Sequence, residues 1–139
     1  MKLVVDANIF ISALIGGKAG ELLFNPNFDL LTTERTTWEV KKYLPQLAEY
    51  TEDTSAHLFN LFELIPVRAC QSKEYESSLS TAQLLIGDRD PCDVDILALT
   101  LEIGVPLWSN DADFEKIDEI ILFKTEDIME LVRFFNADK

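Results

Sequence analysis

The sequence predicts an α/β domain, a parallel sheet with helices against both faces. Along the whole chain, short apolar or β-branched runs alternate with segments whose apolar residues recur at helical spacing. The length of 139 residues, 47% of them hydrophobic with only 5 Gly and 5 Pro, suits a single core over residues 1–139. The same composition excludes disorder, collagen-like repeats and a low-complexity tail.

The elements follow in order. Residues 2–5 form an apolar run that ends at Asp6 and reads as a buried strand. Residues 8–14 make a helical turn or two, stopped by Gly16-Gly17, and 19–24 a short helix closed by the turn-favouring pair Asn25-Pro26. Residues 28–31 give a second strand. Thr32-Thr33 then cap a helix marked by Val40, Tyr43, Leu44 and Leu47, which Pro45 should break or kink. Leu58, Leu61, Phe62 and Ile65 mark a helix over 54–64. Pro66-Val67 is a weak strand, and a weaker helix spans 73–85. Asp90-Pro91 reads as an N-cap followed by proline at the first helical position. From 94 to 103 only Asp95, Thr100 and Glu102 are polar, so this helix should be largely buried, and Gly104 ends it. Strands over 105–108 and 120–123 and a helix marked by Ile128, Leu131, Val132 and Phe135 complete the chain.

Charge and rare residues narrow the function. Twelve Lys+Arg against 25 Asp+Glu leave a net charge of −13. Such a field repels polyanions and opposes nonspecific binding to a phosphate backbone, although bound divalent cations would reverse its sign locally. The longest apolar stretches, such as 9–15, are too short to span a bilayer, and the early charge at Asp6 is unlike a signal peptide. Cys70 and Cys92 supply no disulfide framework and read as free thiols. A single histidine, His57, reads as a surface residue and excludes His-rich zinc motifs. Trp38 and Trp108 lie in apolar settings and are expected in the core. The segment Gly16-Gly17-Lys18-Ala19-Gly20 lacks the spacing of a phosphate-binding loop and reads as an ordinary loop. The expectation is a reduced, cytoplasmic protein with no membrane association, whose chemistry, if it is an enzyme, runs on carboxylates.

The acids are unevenly placed. Asp88, Asp90, Asp93, Asp95, Glu102, Asp111 and Asp113 fall between Ile86 and Asp113 with one base, Arg89, among them. Asp6 ends the first strand, Asp111 follows the strand over 105–108, and Asp93 opens the buried helix. In parallel sheets ligands gather at the carboxyl ends of strands and the amino ends of the following helices, which is where these three fall. Glu39 borders an apolar helical stripe and can reach the same cleft. A close pair of carboxylates repels by roughly 4 kcal/mol at about 4 Å and an effective dielectric near 20. Protons or cations must offset that repulsion, and oxygen donors without His or Cys suit Mg²⁺ or Mn²⁺. Asp93, near a helix amino terminus, should stay ionised because the dipole favours its charge. Metal-assisted hydrolysis of a phosphate ester is the chemistry these residues predict.

Four blocks in sequence order carry a resemblance to a known family. Val4-Val5-Asp6-Ala7-Asn8-Ile9-Phe10, Glu39 within Thr36-Thr37-Trp38-Glu39-Val40, Asp93 with its alanine-bearing helix, and Ser109-Asn110-Asp111-Ala112-Asp113-Phe114 resemble a PIN domain along essentially the whole chain. The resemblance implies a three-layer α/β/α sandwich with a central parallel sheet of four to five strands. It implies a Mg²⁺- or Mn²⁺-dependent endoribonuclease in which Asp6, Glu39, Asp93 and Asp111 form the catalytic acidic quartet, with Asp113 as a fifth metal ligand. The metal would activate water for in-line attack on phosphorus. Asn8 and Ser109 would orient the carboxylates from behind. Many small members are VapC-like toxins held inactive by an antitoxin, and many are homodimers, so an RNA substrate, an antitoxin and a second copy are the implied partners. Lys18, Lys41, Lys42, Arg89 and Lys116 are the bases available to grip RNA.

The chain departs from the pattern at Cys92, where many relatives place an acid in an Asp-Pro-Asp-Asp run, and Asp95 is the nearest substitute. A second reading, a degenerate noncatalytic PIN domain that binds a protein, draws on the −13 charge, the few bases and Cys92. A phosphatase or receiver-like domain using Asp6 lacks the Asp-x-Asp such a phosphatase would show.

Overall fold

A computed structural model describes residues 1–137. Five strands, β1 (Lys2–Val5), β2 (Asp29–Thr33), β3 (Val67–Cys70), β4 (Leu107–Trp108) and β5 (Leu122–Phe123), form one sheet in the order β3-β2-β1-β4-β5, every neighbouring pair parallel. The central strand β1 pairs Val4 with Leu31 on one side and with Leu107 on the other. Helices cover both faces, so Leu3, Val4 and Val5 are all fully buried and the strand reads as an unbroken apolar run. Side chains alternate across it: Leu3 and Val5 join a core with Phe10, Leu30, Trp108 and Ile128, while Val4 joins Leu31, Leu97, Leu107 and Phe114.

The helices are α1 (Ala7–Leu14), α2 (Ala19–Leu23), α3 (Glu34–Thr51), α4 (Ser55–Leu64), α5 (Leu79–Ile86), α6 (Pro91–Ile103) and α7 (Thr125–Ala137). The chain winds outward from β1 to β2 and β3, then returns to place β4 on the other side of β1. That reversal opens a crevice at the carboxyl ends of β1 and β4, and it is there that parallel sheets bind ligands. Among the described residues, no helix is long and apolar enough to cross a membrane.

The buried helix α6 forms as its sequence requires. Asp90 accepts the Cys92 N–H at 2.8 Å, Pro91 occupies the first turn, and Gly104 closes the helix at φ 73°, a left-handed conformation that favours glycine. Every residue from Val94 to Thr100 is buried. Thr33 caps α3 by accepting the Thr36 N–H at 2.9 Å. Its neighbour Thr32 does not cap the helix and donates to the Val5 carbonyl at 2.8 Å.

Three sequence expectations are corrected. Pro45 does not end its helix: α3 runs 18 residues through it. The ring lies on the exposed face, where water can take the carbonyl left without a donor, while Leu44, Leu47 and Ala48 keep the opposite face buried. The helix expected over 73–85 is two 3-10 turns, Ser72–Glu74 and Glu76–Ser78, followed by α5. Tyr75 sits between the turns with φ −136°, outside helical geometry, and its side chain is buried at 1% exposure. Trp38 is not in the core but 57% exposed, whereas Trp108 is fully buried as expected. Cys70 and Cys92 are free and His57 is exposed.

Candidate active site

Asp6 leaves the end of β1 into the crevice and is only 6% exposed. Its Oδ1 accepts the Ala7 N–H at 2.8 Å, so the same carboxylate that ends the strand caps α1. Its Oδ2 accepts the Ser109 hydroxyl at 2.7 Å and the Asn8 side-chain amide at 3.3 Å. The Ser109 oxygen in turn accepts the Asp111 N–H at 3.1 Å, and Asn8 Oδ1 accepts the Asn110 N–H at 3.3 Å. Hydrogen bonds thus stitch the β1 exit to the β4 exit, segments about a hundred positions apart.

Burial pushes the Asp6 carboxyl from its ordinary 3.8 up to about 6, against the pull of the Ser109 and Ala7 hydrogen bonds. The negative charges of Asp93 and Asp111 push it further, which places these three acids within electrostatic reach of one another. Asp93, in the first turn of α6, is also raised, chiefly by burial and then by Asp111 and Asp90, with Arg89 pulling it back. Asp111 caps the 3-10 turn Ala112–Lys116 by accepting the Asp113 N–H at 2.9 Å.

Arg89 is the counter-ion of this cluster. Its guanidinium contacts Asp93 at 3.1 Å and Asp111 at 3.4 Å and also pairs with Asp113, which it holds below the usual carboxylate range. Glu39 is half-buried on α3 and faces the start of α6, where its charge helps raise the Cys92 thiol, already lifted by burial, to about 12. Among the described residues, no three acid, His or Cys side chains stand close enough as placed to hold one ion. The guanidinium stands between Asp93 and Asp111, where a cation would balance their charge. The donors around it are all carboxylate oxygens, which fit a hard divalent ion and not a soft one.

Asp95 does not join the cluster. Its Oδ2 accepts the Tyr75 hydroxyl at 2.7 Å and the Arg35 Nε at 3.0 Å, on a different side of α6. Of the expected RNA-gripping bases, Arg89 alone sits among the acids. Lys18 lines a cleft with Asn110 and Thr125, and Lys116 lies near Asp113. Lys41 pairs with Glu63 at 2.9 Å, and Lys42 stands 4.9 Å over the Trp38 ring.

The sequence profile of the PIN domain matches residues 4–127, which span Asp6, Glu39, Asp93 and Asp111. The chain belongs to the PIN-domain family.

No curated protein matches this PIN domain in sequence. Among solved structures it is similar to a chain in the crystal structure of VapBC2 from Rickettsia felis bound to a DNA fragment from their promoter. The TM-score is 0.62 at 14% identity, covering 89% of this chain and 98% of that one. At that identity the likeness establishes the fold, and the five-stranded parallel sheet between helical layers is the α/β/α sandwich the PIN resemblance implied. Two residues of this PIN domain escaped the sequence reading, Arg35 and Tyr75. The signal for them was Asp95 itself, an acid in an apolar helix that must find donors when buried.

Proposed function

We propose that this PIN domain is a divalent-metal-dependent endoribonuclease. The observation that carries the reading is the gathering of Asp6, Asp93 and Asp111 at the crevice between β1 and β4, with Asp6 buried against an ordinary carboxyl's preference. Asp6, Glu39, Asp93, Asp111 and Asp113 would hold Mg²⁺ or Mn²⁺. Bound there, the ion supplies an activated water and stabilises charge developing at phosphorus. Ser109 and Asn8 fix the orientation of Asp6, and the Asp90 cap fixes the turn that presents Asp93. Arg89 sits where it can pass from the acids to a phosphate oxygen, since a guanidinium fork matches either.

The similar VapBC2 structure supports reading the chain as the toxin of a toxin–antitoxin pair, with an antitoxin as partner. A second copy of the chain is a further partner proposed from the PIN resemblance. A noncatalytic, protein-binding PIN domain is the rival, favoured by Arg89 balancing the acids without a metal. Cleavage of a fluorogenic single-stranded RNA with Mg²⁺ or Mn²⁺, against EDTA and Asp93→Asn, tests the choice. Cleavage lost in both controls supports the nuclease. No cleavage by folded, partner-free protein, together with no thermal shift on adding Mn²⁺, supports the rival.

A further inference from the structure

We propose that the groove between the first half of α3 and the segment from β3 to Tyr75 binds single-stranded RNA, with Arg35 clamping a backbone phosphate and Trp38 stacking on a base. The proposal rests on the nuclease reading and gives that site a substrate-binding extension.

The groove has a volume of about 740 Å³ and is lined by Arg35, Trp38, Lys41, Ser72, Tyr75 and Asp95, among others. Arg35 is held in it by one edge only. Its Nε donates to Asp95 Oδ2 at 3.0 Å, and Asp95, 7% exposed, is itself fixed by the hydroxyl of the buried Tyr75 at 2.7 Å. Among the described residues, the two terminal nitrogens of Arg35 make no hydrogen bond, and the side chain is 49% exposed. A guanidinium anchored through Nε presents its remaining donors as a rigid fork, the geometry that grips phosphate in two places. Holding that fork in place is the work Asp95 does in an otherwise apolar stretch of α6.

Trp38 follows Arg35 by one helical turn and is 57% exposed, with Lys42 Nζ 4.9 Å over its ring, a large aromatic surface beside a cation. Indole faces accept any base by stacking, so such a platform tolerates sequence. Within 34–42 the bases Arg35, Lys41 and Lys42 outnumber the acids Glu34 and Glu39, in a protein of net charge −13. An aromatic face beside basic side chains is the combination that tracks a single strand. The same stretch of α3 also packs near the acids. The Arg35 carbonyl lies 3.7 Å from the Cys92 thiol, the residue before Asp93, and Glu39 follows Trp38 on α3.

The test is fluorescence anisotropy of a short labelled single-stranded RNA on full-length protein carrying Asp93→Asn, in Mg²⁺, so that no strand is cut. Trp38→Ala should weaken binding about tenfold. Arg35→Met should weaken it about fivefold and flatten the slope of log affinity against log salt by about 0.7. Trp38 is exposed, so Trp38→Ala tests the groove even where Arg35→Met disturbs folding by leaving Asp95 without its cation. Wild-type cleavage of the same RNA is measured in parallel. Cleavage by the wild type, with RNA affinity unchanged in both variants, overturns the groove and leaves the nuclease reading standing. RNA neither bound nor cut overturns both readings.

Discussion

The Ser109 hydroxyl donates to Asp6 Oδ2 at 2.7 Å, joining the exits of β4 and β1 across 103 positions of sequence. Ser109 is fully buried, and its oxygen also receives the Asp111 N–H, so one hydroxyl sets the relative placement of two acids. Ser109→Ala removes both contacts and leaves the Asp111 N–H without its acceptor. Urea unfolding should show a loss of about 1–3 kcal/mol. The Asp6 carboxyl, losing a hydrogen bond to its ionised form, should titrate higher still. A carboxyl resonance for Asp6 that does not move would show that Ser109 leaves its charge unaffected.

Asp6 should make the metal-free protein less stable as pH rises. Its folded value of about 6 exceeds the ordinary 3.8, so between these values the folded state retains a proton that the unfolded state has released. Folding is thus penalised progressively across that window and fully above it, by about 3 kcal/mol. Below about pH 4 both states are protonated and the penalty vanishes. Asp6→Asn should therefore be more stable than the wild type at neutral pH in EDTA, with the gain fading toward about pH 4, while RNA cleavage is lost. Melts at the two pH values measure it. An Asn variant equally destabilised at both would contradict the assignment.

Arg89→Gln removes the cation that Asp93, Asp111 and Asp113 now share. A divalent ion would no longer have to displace it, so Mn²⁺ should bind about fivefold more tightly by calorimetry. Unchanged or weaker Mn²⁺ binding would show that Arg89 does not hold the cation's place. Cleavage by this variant should nevertheless fall, because Arg89 is also the base nearest the acids.

Much of the frame was legible because it rests on local rules. The strand over 2–5, the Asp90-Pro91 start and Gly104 end of α6, and the acids at strand ends are written in periodicity, capping and turn chemistry. Local rules misled at Pro45 and Trp38. Proline propensity predicts a break or a kink, and tertiary burial of Leu44, Leu47 and Ala48 carries α3 through without a break. Trp38 looks apolar in sequence, but α3 turns Val40 and Leu44 inward and leaves the indole outside.

By itself, the sequence determined the α/β class, the order of the elements and the acids at the ends of β1 and β4 and the start of α6, because each depends on residues within a few turns of one another. Tertiary structure alone decided which acids share a field and which are spent elsewhere. Asp93 and Asp95 are two residues apart on one helix, so they point to different sides. Asp93 meets Arg89 and the charges of Asp6 and Asp111, whereas Asp95 meets Tyr75 and Arg35. A carboxylate's role follows from the donors, charges and water around it. Those are brought together by packing across strands and helices remote in the chain.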